Sequence, residues 1–240
     1  MAIILALDFE TTGLNVVEDR PIEVGAVLWS SGQQKCLEST GFLVESDKPV
    51  TEEITKITGI TQTAVDKFGY AAVDGFDAVI ALLKMADAIA GHNAIRFDKK
   101  ILESWAKRID GEVPEKLWID TTTDLPGAKF GTLSHVAADH GFLNLFPHSA
   151  LADCQTVVKL LSMYDVEEVI KRAKSPTLVI RSHQDRNSNQ DASKLKFRWN
   201  PERKVWWRTI KDMDLEQFTK DAPFNVSIFD KQTSEELLSL

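Results

Sequence analysis

The chain is poor in cysteine. Cys36 and Cys154 are the only two in 240 residues, too few and too far apart for the disulfide framework of a small secreted domain, so a reducing, cytoplasmic setting is expected. It also lacks an apolar run long enough to cross a bilayer. The N-terminal run is broken by Asp8 and has no basic residue before it, so neither a signal peptide nor a membrane span is expected. There is no internal repeat. A net charge of −8 argues, on average, against a nucleic-acid partner, but the average hides a division: residues 171–211 carry 12 Lys/Arg against 3 Asp/Glu, while residues 1–170 stand at −12 and residues 212–240 at −5. With 43% hydrophobic and 27% charged residues, wholesale disorder is excluded, and the length suits one sizeable core with a small appended module.

The most informative stretch is the apolar run from Ile3 to Leu7, which ends in Asp8-Phe9-Glu10-Thr11-Thr12-Gly13. Such a run reads as a buried strand, and alternation puts Asp8 and Glu10 on one face. Two acids on one face of a buried strand call for a cation between them, and a hard divalent ion with oxygen ligands is the usual solution. The alternative is a strand edge whose polar face is wet.

The segments 21–29 and 35–44 read as further strands, which makes the opening an antiparallel meander. Thr51 starts a short helix that Gly59 ends, and apolar spacing from Val73 to Met85 predicts an amphipathic helix. A short strand over 87–91 gives way, within His92 to Asp98, to a helix running to about Lys107, with Asp98 in its first turn or two. A strand at 118–121 follows, with helices at 133–140, from His148 to Tyr164, and at 166–173. Ser175-Pro176 marks a boundary, and Ser182 to Ser193 reads as a loop. A hairpin around Asn200-Pro201, a helix over 215–220 and a strand over 224–229 complete a small α+β module, with a frayed tail from Lys231. The expected division is 1–174, 175–230 and 231–240.

Asp8, Glu10, Asp98 and Asp153 stand at a strand end and two early helix turns, separated by whole elements. Together they could hold two divalent ions on either side of a phosphate, with His148, five residues before Asp153, taking a proton from water. At these residues the chain resembles the DEDDh, or DnaQ-like, 3′–5′ exonucleases of the RNase H-like superfamily. Residues 8–13 resemble the first motif, His92-Asn93 with Phe97-Asp98 the second, and His148 with Asp153 the third, in matching order.

The resemblance implies an α/β fold, a mixed RNase H-like central sheet flanked by helices. It implies two Mg²⁺ or Mn²⁺ ions held by Asp8, Glu10, Asp98 and Asp153, with His148 as general base. Thr11, Thr12, Gly13 and Leu14 would hold the terminal nucleotide, Ile60 would be a second wedge, and Asn93 would lie near the substrate. The extra residue between Asn93 and Asp98, with Arg96, resembles the variant in members that act on DNA; Arg96 meets either a phosphate or a surface acid. His92, His135, His140 and His183 read as structural or exposed.

The hairpin interleaves Lys194, Lys196, Arg198, Arg203, Lys204 and Arg208 with Phe197, Trp199, Trp206 and Trp207, a pattern suited to single-stranded nucleic acid. The adjacent tryptophans face opposite ways, so one is expected inside and one, taken as Trp207, available. The expected function is metal-dependent 3′–5′ hydrolysis of single-stranded DNA ends, releasing nucleoside 5′-monophosphates. The alternatives are an exoribonuclease, or a proofreading or docking subunit that meets a polymerase or other repair protein through the C-terminal module.

Overall fold

Four consecutive side chains, Ile4 to Leu7, can be buried together only where both faces of a sheet are covered. In the computed structural model, which describes residues 1–127, 131–184 and 189–238, β1 (Ile3–Thr11) holds all four at 0% exposure in the middle of a five-stranded sheet. β2 (Pro21–Ser30) pairs antiparallel with β1, placing Gly25 opposite Asp8 and Glu23 opposite Glu10, and β3 (Lys35–Leu43) pairs antiparallel with β2. On the other side β4 (Ala88–Gly91) and β5 (Leu117–Asp120) run parallel, giving the order β3-β2-β1-β4-β5. This is the mixed sheet expected. Its antiparallel half follows from short loops and its parallel half from helical crossovers.

Helix α1 (Glu52–Thr58) is capped by the Thr51 hydroxyl and closed by Gly59 at φ 76°. Then comes α2 (Gln62–Phe68), a helix the sequence pattern did not suggest, because Val65 is its one buried residue. Helices α3 (Ala72–Met85) and α4 (Asp98–Arg108) cover one face of the sheet. Phe76, Val79, Leu83, Ile101 and Trp105 pack there with Leu5, Leu7 and Phe9. The other face is covered by α5 (Leu133–Asp139), α6 (Ala150–Leu161) and α7 (Val166–Lys174), whose apolar sides meet Ile4 and Ala6. Asp8 and Glu10 continue the Ile4–Ala6 row, so their carboxylates emerge on the α6 side.

The chain divides into two units, Met1–Ala173 and Lys174–Leu240. The second is built on β6 (Thr177–His183), α8 (Asn189–Lys194), β7 (Arg198–Asn200), β8 (Val205–Lys211), α9 (Asp212–Asp221), β9 (Asn225–Ile228) and α10 (Lys231–Leu238). Its antiparallel sheet has the order β7-β8-β6-β9. Ile180, Phe197 and Ile210 form a core on one face, and Val179, Trp207 and Leu237 form one on the other.

Two expectations change here. The segment Ser182–Ser193 is not one loop: β6 runs to His183 and α8 begins at Asn189, while residues 185–188 lie outside the described residues. Lys231–Leu238 is no frayed tail but a helix, held because Leu237 is wholly buried on Trp207 and Val179. Among the described residues no helix is long and apolar enough to cross a membrane.

Candidate active site

The site begins with a close approach. Gly25 lies under the first residue of α6, where a Cβ would stand 2.1 Å from the Ala150 carbonyl carbon, so only glycine lets the helix come down onto β2. The Glu23 carboxylate accepts the Ala150 N–H at 2.9 Å, and the Cys154 thiol donates to the Gly25 carbonyl at 3.1 Å. Seated this way, α6 brings Asp153 to the end of β1. Asp8, Glu10 and Asp153 each offer a carboxylate oxygen, and all three oxygens lie within 4.8 Å of one another.

Asp98 arrives from the opposite side. β4 leaves β1 after Ala6, and beyond that point the Asp98 carboxylate accepts the Phe9 N–H at 3.1 Å. The acid is 2% exposed, which ties the start of α4 to the strand that carries Asp8 and Glu10.

Electrostatics follow from this crowding. Burial, and then the charges of Asp98, Asp153, Glu10 and Glu23, push Asp8 well above the usual carboxylate range. Glu10 is raised to about 7 by burial, with Asp153 and Glu23 adding to the effect. Asp98 is raised to about 8, mainly by burial and further by Asp120 and Glu10, against the opposing pull of the Phe9 N–H. Burial also raises Asp153 and Glu23. Acids packed this tightly ionise together only with a cation among them, and an all-oxygen donor set suits a hard divalent ion. The residues present therefore fit the metal that the motifs imply.

His148 stands at the foot of α6 with φ 64°, and its backbone N–H donates to Asp153 at 3.1 Å. The Asn144 amide donates to the other oxygen of the same carboxylate. The stretch between them is thus an arch with both feet on Asp153, and its crown exposes Leu145 and Phe146 by 72% and 69%. The His148 side chain is exposed and makes no hydrogen bond with the described residues, so its ring is open to solvent.

The turn after β1 is built by a residue outside the motifs. Asp19, 4% exposed, accepts from the Thr12 hydroxyl at 2.9 Å, from the Asn15 N–H at 2.8 Å and from Lys48. A Cβ on Gly13 would sit 2.5 Å from the Asp19 carboxylate, which explains the glycine. The Thr11 hydroxyl donates to the Gly13 carbonyl at 2.5 Å. Both threonine hydroxyls are therefore engaged in shaping the turn, and Leu14, 86% exposed, projects from it.

Asp120 does the same for the second motif. It is buried and accepts the N–H groups of Asn93 at 3.0 Å, Ile95 at 3.2 Å and Thr122 at 3.0 Å. Asn93 is held at φ 60° and exposed, and Arg96 is exposed with no ion-pair partner among the described residues. Of the two readings of Arg96, the one that pairs it with a surface acid is not seen. His92 bridges Thr121 and Gly131, and His140 bridges Val136 and Tyr164, both structural roles.

Sequence reasoning missed Glu23, Asp19, Asp120 and Asn144. The available signal was an acid beside a turn or strand end with threonines or an asparagine within reach, a pattern that marks backbone ties.

Several side chains expected to face the substrate are instead engaged within the fold. Ile60 is 8% exposed and packs with Ile22 and Val65, so it is core rather than wedge. In the second unit Trp207, at 6% exposure, lies under Leu237 and cannot stack on a base. Arg208 donates to the Leu195 carbonyl at 2.6 Å with its guanidinium 5.0 Å from the Phe218 ring, and Arg203 pairs with Glu236. Lys196, Arg198 and Lys204 stay exposed.

Residues 5–161 match the RNase_T family, described as exonuclease. The PolC-type DNA polymerase III of Thermotoga petrophila is 32% identical over 120 residues, which is 50% of this chain and 8% of that one. The PolC-type polymerase of Mycoplasmopsis pulmonis is 33% identical over 116 residues, 48% of this chain and again 8% of the relative. The chain thus spans a small part of the length of these curated relatives. Among solved structures, E. coli Exonuclease I in complex with a dA16 oligonucleotide aligns with a TM-score of 0.62 at 17% identity, over 76% of this chain and 48% of that one. The nuclease domain of 3′hExo, a DEDDh family member bound to rAMP, aligns at 0.58 and 18% identity, over 67% and 90%. Those two likenesses show a shared fold. The match along residues 5–161, which contains all three motifs, makes this chain a member of the DnaQ-like exonuclease family.

Proposed function

We propose that the chain removes nucleotides from the 3′ end of single-stranded DNA, using Mg²⁺ or Mn²⁺ and releasing nucleoside 5′-monophosphates. The observation that carries this reading is the convergence of Asp8, Glu10 and Asp153 within 4.8 Å, with Asp98 bonded to the same strand. These four carboxylates would hold two divalent ions, which when bound polarise the phosphodiester and lower the pKa of a water. His148, open to solvent, accepts the proton of the attacking water as its oxygen bonds to phosphorus and the P–O3′ bond breaks. Arg96, unpaired and beside the second motif, balances charge on the phosphate. Asn144 and the His148 N–H keep Asp153 aimed throughout.

The single-strand preference rests on the loops. Leu14, Leu145 and Phe146 are exposed on the segments that carry the acids, an apolar rim suited to bases that are not hidden in a duplex. The two free thiols accord with a reducing compartment. A second reading, a proofreading activity within a polymerase assembly, draws on the PolC-type relatives. Incubation with 3′-labelled DNA and RNA of one sequence, with Mg²⁺ or with EDTA, tests the proposal. Metal-dependent loss of label from DNA is expected, faster loss from RNA would reassign the substrate, and no loss from either would refute the activity.

A further inference from the structure

The second unit keeps nearly all of its large aromatic side chains in its two cores. Phe197 and Trp207 are 4% and 6% exposed, and Trp206, Phe218, Phe224 and Phe229 pack partly buried against them. Trp199 is the exception, at 47% exposure. It stands on β7, the end strand of the sheet, directly opposite Trp206, with ring centroids 5.6 Å apart at an interplanar angle of 52°. The neighbouring indole steadies the ring while the rest of it is open to solvent. A supported, exposed indole on a sheet edge is a stacking platform.

The charge around it has one sign. From Ala192 to Lys211 there are seven Lys/Arg and one acid, Glu202. Part of that charge is committed within the fold: Lys194 pairs with Asp191, Arg203 with Glu236, Arg208 is tied to the Leu195 carbonyl, and Lys211 is buried. Lys196, Arg198 and Lys204 are exposed, and none has an ion-pair partner among the described residues. They flank Trp199 along the chain. Lys196 precedes β7, Arg198 is adjacent on the strand with its guanidinium 5.9 Å from the Trp207 ring on the other face, and Lys204 closes the turn into β8.

We propose that the β7 edge is a single-stranded nucleic-acid site, with a base stacked on Trp199 and backbone phosphates met by Lys196, Arg198 and Lys204. Charge complementarity selects a polyanion, and the exposed indole selects one whose bases are unstacked. The site deepens the exonuclease reading by giving the chain a grip on its substrate separate from the acidic cluster, and its test is independent of cleavage.

The test is anisotropy of the full chain with fluorescein-labelled oligo(dT) in EDTA, over a range of salt. Trp199→Ala should weaken binding about tenfold, and Trp199→Phe should restore most of it. Reversing Lys196 and Lys204 to Glu should weaken binding and flatten the slope of log K against log salt by about 0.7 for each phosphate that is no longer neutralised. Mg²⁺-dependent release of a 3′ nucleotide is assayed separately. If the wild type releases none, the exonuclease reading falls and the binding data still judge the β7 edge. If Trp199→Ala and the charge reversals bind oligo(dT) as the wild type does at every salt concentration, the proposal is overturned.

Discussion

Glu10 shows what a buried acid in a cluster does before any cation reaches it. Its folded pKa of about 7 lies above the ordinary value of 4.5, so at low pH both folded and unfolded chains hold the proton and nothing is lost. As pH rises from about 4.5 to about 7, the unfolded chain gives up its proton first, and the folded state loses stability. Replacing Glu10 with Gln should therefore raise the metal-free melting temperature more at pH 8 than at pH 5. The gain should be on the order of 2–3 kcal/mol at the upper end, and Mg²⁺ should stabilise the wild type most at pH 8. A pH-independent difference between the two proteins, followed by thermal melts in EDTA, would contradict the account. Asp120 works by geometry instead. Asp120→Ala orphans the Asn93, Ile95 and Thr122 N–H groups at once, with an expected cost of about 2–4 kcal/mol in urea unfolding and a large fall in turnover.

At the scale of elements, the seat of α6 on β2 decides whether the acids meet. Gly25→Ala drives a methyl group into the Ala150 carbonyl, so it should destabilise the fold by about 1–3 kcal/mol and lower turnover at least a hundredfold by moving Asp153. Near-normal turnover would show that α6 can shift without moving the site. Most of this architecture was legible in the chain. β1, β2 and the amphipathic α3 follow directly from apolar runs and helical spacing, because each buries one face or both, whereas β3 buries no residue and follows from the turn at Ser31-Gly32. Elements that bury a single side chain were not legible: α2 offers only Val65 and α10 only Leu237. Missing α10 had a consequence at Trp207. Alternation correctly set Trp206 and Trp207 on opposite faces, but both faces turned out to be covered. Leu237→Ala should accordingly cost the second unit about 2–4 kcal/mol, read from its unfolding transition.

For the whole molecule, charge is sorted by unit: the first concentrates carboxylates and the second carries a basic stretch. On the proposed reading, a metal held by the first would face a phosphate while the exposed cations of the second would meet others. The four acids could be picked out from the sequence because their motifs carry spacing. The supporting acids could not, because Asp19, Asp120 and Glu23 act through backbone N–H groups that only the folded loops bring to them. The central claim is that Asp8, Glu10, Asp98 and Asp153 form one metal-dependent centre that works from a 3′ end. Its most direct test is a time course on 5′-labelled single-stranded DNA with Mg²⁺, comparing wild type with Asp8→Ala. A ladder that shortens one nucleotide at a time in the wild type, and is absent both in EDTA and in the variant, is predicted. Release of the 5′ label as a mononucleotide, internal cuts without a ladder, or an unchanged ladder from Asp8→Ala would contradict it.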